Sequence, residues 1–327
     1  MGRLHFFDQS LLESQTIGQI DNFKRITARP NGWHYDLDMA WILSNLKKAN
    51  VQPGATILDA GAGLGIFQFL LAGLGYHVIS LDFAARIMPA SFVNLFNISG
   101  DGMTFDASEY DHQYMRVINY GDASPRSSTK PVFRGLLDLM DRYDSFDDRL
   151  SIVRRALLAR LKRMYSSLIR LKKIRLNRNR IEGSIRLIRA PFHSCNIEPS
   201  IVDAVVSISA IEHSDIQLIP EALAMFRRVT KPGGKILLTT SMSRDCNRAF
   251  DYEVQGYNFA TADFHKIFEI RGDNSPSRSQ LDAYESSLLS MEKLWFRLDD
   301  YYKLNPKSHF YRGEIQRLPY LPVGLEL

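Results

Sequence analysis

Cysteine is scarce: 327 residues hold only Cys195 and Cys246. Two thiols cannot build a disulfide framework or a four-ligand zinc site, and their scarcity favours a reducing compartment. No His, Asp and Glu cluster reads as a metal site. The first residues, Met1 to Phe6, are not followed by an apolar core and a small-residue cleavage site, so they do not read as a signal peptide. Phe6 also breaks the myristoylation pattern. One long uncharged stretch, Ala60 to Leu81, approaches membrane-spanning length, but it contains five glycines, Gln68 and His77. It reads as a loop, a helix and a strand rather than a span. The expected location is cytoplasmic, with a peripheral place at the inner face of a membrane left open by the charge pattern described below.

What is present is an ordinary globular composition, 45% hydrophobic and 24% charged, in a chain long enough to bury a sizeable core. The organising feature is Ile57-Leu58-Asp59-Ala60-Gly61-Ala62-Gly63-Leu64-Gly65. A short apolar run ends in an acid, and glycines then alternate. A second apolar run, Val78 to Leu81, ends in Asp82. The pattern is strand, tight turn, helix, strand, acid: a βαβ unit with a ligand crevice at the strand ends. A dinucleotide fingerprint needs G-x-G-x-x-G, and Ile66 stands where its third glycine would be.

The remaining elements follow from periodicity and breakers. Met39, Ile42, Leu43 and Leu46 recur at helical spacing over Asp36–Ala49, whereas residues 1–31 carry little periodicity. Strand one is expected at Thr56–Leu58, a helix at Ile66–Leu74, strand two at His77–Leu81 and a helix at Pro89–Phe96. Strand three falls at Ile185–Ile188 or, alternatively, at Val117–Ala123, which contains Asp122. Strand four is Asp203–Ser209. A helix at Pro220–Val229 leads through a Lys231-Pro232-Gly233-Gly234 turn into strand five, Lys235–Thr240. Helices are expected near Thr261–Phe268 and over Ser279–Tyr302. The C-terminal residues 318–327 supply a last strand, whose prolines place it at an edge or are confined to strand ends.

The D-x-G-x-G-x-G loop followed by Asp82 resembles motif I of the class I S-adenosylmethionine (SAM)-dependent methyltransferases. The Ala210-Ile211-Glu212-His213 stretch after strand four, and the Pro-Gly-Gly turn before strand five, are similar to the broad family that includes the ubiquinone and menaquinone methyltransferases. The four features occur in the family's order. The resemblance implies one Rossmann-like α/β domain over residues 1–327, with a seven-stranded, mostly parallel sheet and helices on both faces. It implies SAM as cofactor, with Asp59, Gly61, Ala62, Gly63 and Gly65 close to its methionine and ribose parts. Asp82 would accept hydrogen bonds from the ribose hydroxyls, and Phe83 would pack on the adenine. Phe192 would offer its backbone N–H to the adenine ring, since the favoured strand three lacks the family's usual acid; Asp122 is the alternative. Ser207, Ser209 and Glu212 would border the cofactor.

Methyl transfer from a sulfonium needs alignment first, and a base only where the nucleophile carries a proton. His213 follows strand four on the crevice side and is the candidate base; the alternative is that Glu212-His213 shapes the loop. His193, His265 and His34 are weaker candidates. Residues 1–50 are expected to form a helical lid. Trp33, His34 and Tyr35 there, with Tyr257 in a cap at 245–317, are the candidate acceptor contacts, although aromatic packing explains the first three equally well. No Asn/Asp-Pro-Pro-aromatic motif follows strand four, and neither cysteine has the Pro-Cys context of cytosine enzymes. The expected acceptor is therefore an O, N or C atom of a small molecule, sugar or lipid-linked compound.

An insertion at 97–182 separates strands two and three. Within it, residues 149–180 hold twelve basic residues and no acid, on an expected amphipathic helix with one apolar stripe. That helix suits packing on its own domain or on a partner subunit, an anionic membrane surface or, least well, nucleic acid. Two other functions stay open: an RNA methyltransferase using the basic helix, and a methyltransferase-like binding subunit without catalysis.

Overall fold

The computed structural model describes residues 2–27, 32–63, 65–84, 86–87, 96–100, 103–104, 183–244, 247–252, 255–270, 276–298, 302, 309–310, 315 and 317–327. The basic segment 149–180, the alternative strand at 117–123, Cys246 and most of the expected helix at Pro89–Phe96 lie outside these residues.

The strands are β1 (Arg3–Phe6), β2 (Thr56–Ala60), β3 (His77–Asp82), β4 (Arg86–Ile87), β5 (Ile98–Gly100), β6 (Met103–Thr104), β7 (Ser184–Arg189), β8 (Val202–Ile208), β9 (Thr230–Met242), β10 (Ala249–Asp251), β11 (Gly256–Asn258) and β12 (Leu321–Glu326). The helices are α1 (Gln15–Thr27), α2 (Tyr35–Lys48), α3 (Phe67–Gly73), α4 (Ile219–Val229), α5 (Thr261–Lys266), α6 (Arg278–Leu289) and α7 (Glu292–Phe296). Eight strands form one sheet in the order β1-β12-β9-β8-β2-β3-β7-β5. From β5 to β9 every neighbouring pair is parallel. β12 runs antiparallel to β9, and β1 antiparallel to β12, so β1 points with the parallel set.

The fold is the mostly parallel α/β sheet that the glycine loop implied, with eight strands instead of seven among the described residues. The chain passes from β2 outward to β3 and β7, then returns to place β8 on the other side of β2. This reversal opens a crevice beyond the carboxyl ends of β2 and β8, where such sheets bind ligands. The inner strands are buried: Ile57, Leu58, Val205, Val206 and Leu237 have no exposed surface. A strand covered on both faces reads as a continuous apolar run, which is why β8 was plain in the sequence.

The amino-terminal residues carry little periodicity because β1 is four residues long and its partner is the other end of the chain. Arg3–Phe6 pairs with Val323–Glu326. In the same amino-terminal fifty residues, α2 packs across β8, β9 and β12. Asp36 and Asp38 sit in its first turn and Lys47 and Lys48 in its last, which suits the helix dipole. Arg297, just past α7, donates to both Asp21 and Asp36 and ties the amino-terminal helices to the carboxyl-terminal part of the chain.

Two expectations change, and a third resolves between its two alternatives. The helix expected over Ser279–Tyr302 is two helices, α6 and α7, with a break at Ser290-Met291. The Pro232-Gly233-Gly234 turn lies within β9: Val202 faces Thr230 and Ala204 faces Lys235, so the turn loops out of a continuing strand as a bulge. β12 is not at the edge, because β1 covers it. Its proline, Pro322, is the second residue of the strand, where the missing N–H costs little.

Candidate active site

The glycine loop lies at the carboxyl end of β2, and its backbone is held from three sides. Gly61 and Ala62 donate to the Leu81 carbonyl at 2.8 and 3.2 Å. Gly61 has a φ of +76°, and a Cβ there would stand 2.3 Å from the Ala210 Cβ and 3.1 Å from the Phe192 ring. A side chain would close that contact and strain the turn. The loop after β2, the segment after β8 and the turn after β7 therefore meet at one glycine. This brings together Gly61, Phe192 and the Ser209-to-His213 segment, which lie far apart in sequence.

Asp82 ends β3 with both carboxylate oxygens engaged. Oδ2 accepts the Gly63 N–H and Oδ1 the Ala84 N–H, each at 2.8 Å. An ionised carboxylate has about four lone-pair positions, so each oxygen keeps room for a further donor such as a ribose hydroxyl. Gly63 is itself left-handed, with φ +47°.

Beneath the loop lies a buried network that motif reading did not find. The Gln68 amide nitrogen, on the first turn of α3, lies within 3.4, 3.2 and 3.1 Å of the Ala62, Gly63 and Gly65 carbonyls. Its oxygen accepts from Ser80 Oγ at 2.7 Å. Arg86, 2% exposed, donates to Ser80 Oγ, to the Ser80 carbonyl at 2.7 Å and to the Ile188 carbonyl at 3.2 Å. Burial lowers the Arg86 pKa, opposed by the charges of Asp82 and Asp59. A glutamine in an uncharged run is a visible anomaly in the sequence; Arg86, outside that run, gave no local signal.

Asp59 is buried as well. It is 2% exposed, and its Oδ2 has no hydrogen-bond partner among the described residues. Burial pushes its carboxyl up to about 7, with Arg86 pulling against that shift and Asp82 adding to it. An unpartnered buried carboxylate oxygen is costly, and a cationic or hydrogen-bond-donating ligand would relieve it. The orphaned oxygen, the two left-handed glycines and the doubly engaged Asp82 fit the amino acid and ribose parts of SAM.

The Ser207 hydroxyl, at the end of β8, is fully buried and without a partner among the described residues. Ser209 takes a φ of +42°, and its N–H donates to the Thr239 carbonyl at 3.0 Å. Glu212 is buried; Thr240 Oγ1 donates to it at 3.1 Å, and burial raises its pKa. His213 is exposed, with Nδ1 3.0 Å from the Gln255 carbonyl. A carbonyl only accepts, so Nδ1 carries the proton and Nε2 of the neutral ring keeps its lone pair. Gly256 lies against this ring, where a Cβ would approach to 3.1 Å.

The remaining predicted residues fall in two groups. Trp33 and His34 are buried at the start of α2. The Trp33 ring stacks on Trp295 at 5.8 Å and lies 5.4 Å from Phe310, while its Nε1 donates to the Tyr320 hydroxyl at 3.1 Å. His34 Nδ1 is 2.7 Å from Asp38 Oδ2, and its Nε2 is 3.0 Å from the Tyr320 hydroxyl. Tyr35 is partly buried, edge-on to His34. Tyr257 sits on β11 beside Phe250 and its carbonyl accepts from Ser241. Phe83, by contrast, is 71% exposed. Phe192 packs on Phe226 as well as on Gly61. His193 is exposed, and His265 is bonded to the Ile270 carbonyl. Among the described residues there is no group of three His, Cys, Asp or Glu side chains that would hold a metal ion, and no helix long and apolar enough to cross a membrane.

Residues 154–238 match a family model described as a methyltransferase domain. Within the described residues that match runs from β7 through β8 and α4 into β9, and it stops short of the glycine loop. No curated protein matches the chain. Solved structures similar to it include a protein of Pyrococcus horikoshii, at 15% identity and a TM-score of 0.32, covering 68% of this chain and 63% of that one. The chain thus spans less than two thirds of that relative's length. Another is the 1,6-didemethyltoxoflavin-N1-methyltransferase of Burkholderia thailandensis, solved with S-adenosylhomocysteine, at 12% identity and 0.34, covering 80% and 75%. A third is a putative methyltransferase from an antibiotic biosynthesis pathway of Anabaena variabilis, at 14% and 0.36, covering 89% and 97%. The sheet order and the loop geometry, rather than these scores, carry the structural reading.

Proposed function

We propose that this chain is a class I SAM-dependent methyltransferase that moves the methyl group to an O, N or C atom of a small-molecule, sugar or lipid-linked acceptor. The observation that carries the reading is the convergence at Gly61 of the glycine loop, Phe192 and Ala210, beside the orphaned Asp59 and the doubly bonded Asp82. SAM supplies an electrophilic methyl on a sulfonium whose leaving group is neutral. The protein's part is to hold, to align and to accept a proton where one must leave.

Asp82 holds the ribose hydroxyls and, through Gly63, the loop that approaches them. Asp59 Oδ2 takes a donor from the methionine end. Ser207, Ser209 and Glu212 border the cofactor, and Phe192 offers its backbone N–H to the adenine. His213 Nε2, left with its lone pair by the bond from Nδ1 to Gln255, accepts the proton of an attacking hydroxyl or amine. Residues 1–50 and 245–317 form the acceptor side as lid and cap, with Tyr35 and Tyr257 toward the acceptor and Trp33 and His34, buried against Trp295, Phe310 and Asp38, holding the lid together. The basic segment 149–180 serves contact with an anionic membrane surface, a partner subunit or its own domain, with a cytoplasmic location.

Incubating the protein with tritium-labelled SAM and a whole-cell extract, then separating small-molecule, lipid and RNA fractions, tests this reading. Label should appear in an extract compound, and His213→Ala should lower transfer while leaving SAM affinity nearly intact. Binding of SAM without transfer to any extract fraction would favour the non-catalytic binding subunit. Transfer confined to an RNA fraction would favour the RNA enzyme, with an affinity that falls steeply with salt.

A further inference from the structure

Arg86 heads a run of hydrogen bonds in which every donor is fixed by chemistry. A guanidinium only donates, so the Ser80 hydroxyl accepts from Arg86 Nη1. Ser80 in turn donates to the Gln68 side-chain oxygen at 2.7 Å. The Gln68 amide nitrogen donates to the Ala62, Gly63 and Gly65 carbonyls. Carbonyls only accept, so these partners also fix which way the Gln68 amide is turned.

The run ends on Asp82. A trans peptide points its C=O and the next N–H in opposite directions, and no peptide bond among the described residues is cis. Holding the Ala62 carbonyl from beneath therefore aims the Gly63 N–H away from Gln68, and that N–H meets Asp82 Oδ2 at 2.8 Å. The second arm of Arg86, Nη2, donates to the Ser80 carbonyl at 2.7 Å and to the Ile188 carbonyl at 3.2 Å. Ile188 is the next-to-last residue of β7, just before the turn that carries Phe192. One buried side chain thus underlies both the glycine loop and the turn after β7. A guanidinium only 2% exposed is expensive to bury, and an apolar side chain of similar volume would serve packing as well.

We propose that Arg86 is a positioning residue for the cofactor, setting the glycine loop through Ser80 and Gln68 and the turn after β7 through Ile188. This rests on the SAM reading above. Arg86 acts through these neighbours, not on the ligand itself. Its charge has a second effect, on Asp59. Burial raises the Asp59 carboxyl, Arg86 pulls it down and Asp82 pushes it further up; these are the charged groups that act on Asp59 among the described residues. Loss of the guanidinium moves the Asp59 carboxyl upward. The ionised carboxylate that takes the donor from the methionine end of SAM then forms only at higher pH.

The test is calorimetric titration of SAM into the full chain over about pH 6 to 9, a range that brackets the Asp59 carboxyl. Arg86→Met should weaken binding by about tenfold or more, the scale of one charge-assisted hydrogen bond, with unchanged stoichiometry. The acid limb of its affinity profile should lie at higher pH than that of wild type. Arg86→Lys restores the charge but not the planar fork; its acid limb should return to the wild-type position while affinity recovers only in part. Ser80→Ala cuts the link to Gln68 and keeps the charge, so affinity should fall at every pH with the acid limb unmoved. A residue that only stabilises the fold would lower the stoichiometry and leave the affinity of the folded fraction intact. Wild-type affinity with an unmoved acid limb in Arg86→Met, or a loss confined to stoichiometry, would overturn the assignment. Should Arg86→Met yield no folded protein, wild-type affinity in Ser80→Ala would overturn it equally. Absence of SAM binding by the wild type would instead remove the cofactor reading, and the role of Arg86 with it.

Discussion

Asp82 Oδ2 accepts the Gly63 N–H at 2.8 Å, joining the end of β3 to the tip of the glycine loop across nineteen residues. The carboxylate therefore fixes the tip of the loop, and under the proposed function it also takes the ribose hydroxyls. Removing it should cost more than one ligand hydrogen bond, because the Gly63 and Ala84 N–H groups both lose their acceptor.

Gly61→Ala probes the closest approach in the site. Its Cβ would fall 2.3 Å from the Ala210 Cβ, on a backbone at φ +76°. Strain and overpacking of this kind cost about 1–3 kcal/mol each. Thermal unfolding should show a clearly lower Tm together with weaker SAM binding. A variant as stable as wild type would mean that Ala210 and Gly61 are not in contact.

Gln68→Leu tests the clamp beneath the loop. The substitution removes the donor shared by three loop carbonyls and leaves Ser80 Oγ without its acceptor. Stability should fall by about 1–3 kcal/mol, as read by denaturant unfolding, and SAM affinity should fall with it. Retained affinity would show that the glycine loop keeps its shape unaided.

The raised carboxyl of Asp59 gives a pH signature. Its folded pKa of about 7 lies above the ordinary 3.8. Between those values the folded state holds a proton that the unfolded state has lost. Stability should therefore fall as pH rises from about 4 to about 7, and level off above that. Each unit corresponds to about 1.4 kcal/mol, so the whole loss is on the order of 4 kcal/mol. Asp59→Asn should remove this slope and be the more stable protein at about pH 8. Parallel stability curves for the two proteins would show that the carboxyl is not raised.

The sequence showed the sheet's centre because its strands announce themselves. Burial on both faces makes β2, β3 and β8 continuous apolar runs, and the alternating glycines and Asp82 mark the crevice. The edges were harder to see. β1 is four residues whose partner lies more than three hundred residues away, and the bulge at Pro232-Gly233-Gly234 read as a turn because glycine and proline mark both. At the site, Asp59, Gly61, Asp82 and Glu212 were legible from motif order. Arg86 was not, since its role comes from contacts across the fold that no local pattern encodes, and Gln68 showed only as a polar residue in an uncharged run. Trp33 and His34 were visible as aromatic and titratable residues, but their bonds to Tyr320 depend on the return of the chain's far end.

Calorimetric titration of SAM into wild-type and Asp82→Ala proteins tests the central claim most directly. Saturable binding by the wild type, weakened by about tenfold or more in Asp82→Ala (~1.4 kcal/mol for each tenfold), is the expected result. Absence of binding by the wild type at millimolar SAM, or equal affinity in the two proteins, would contradict it.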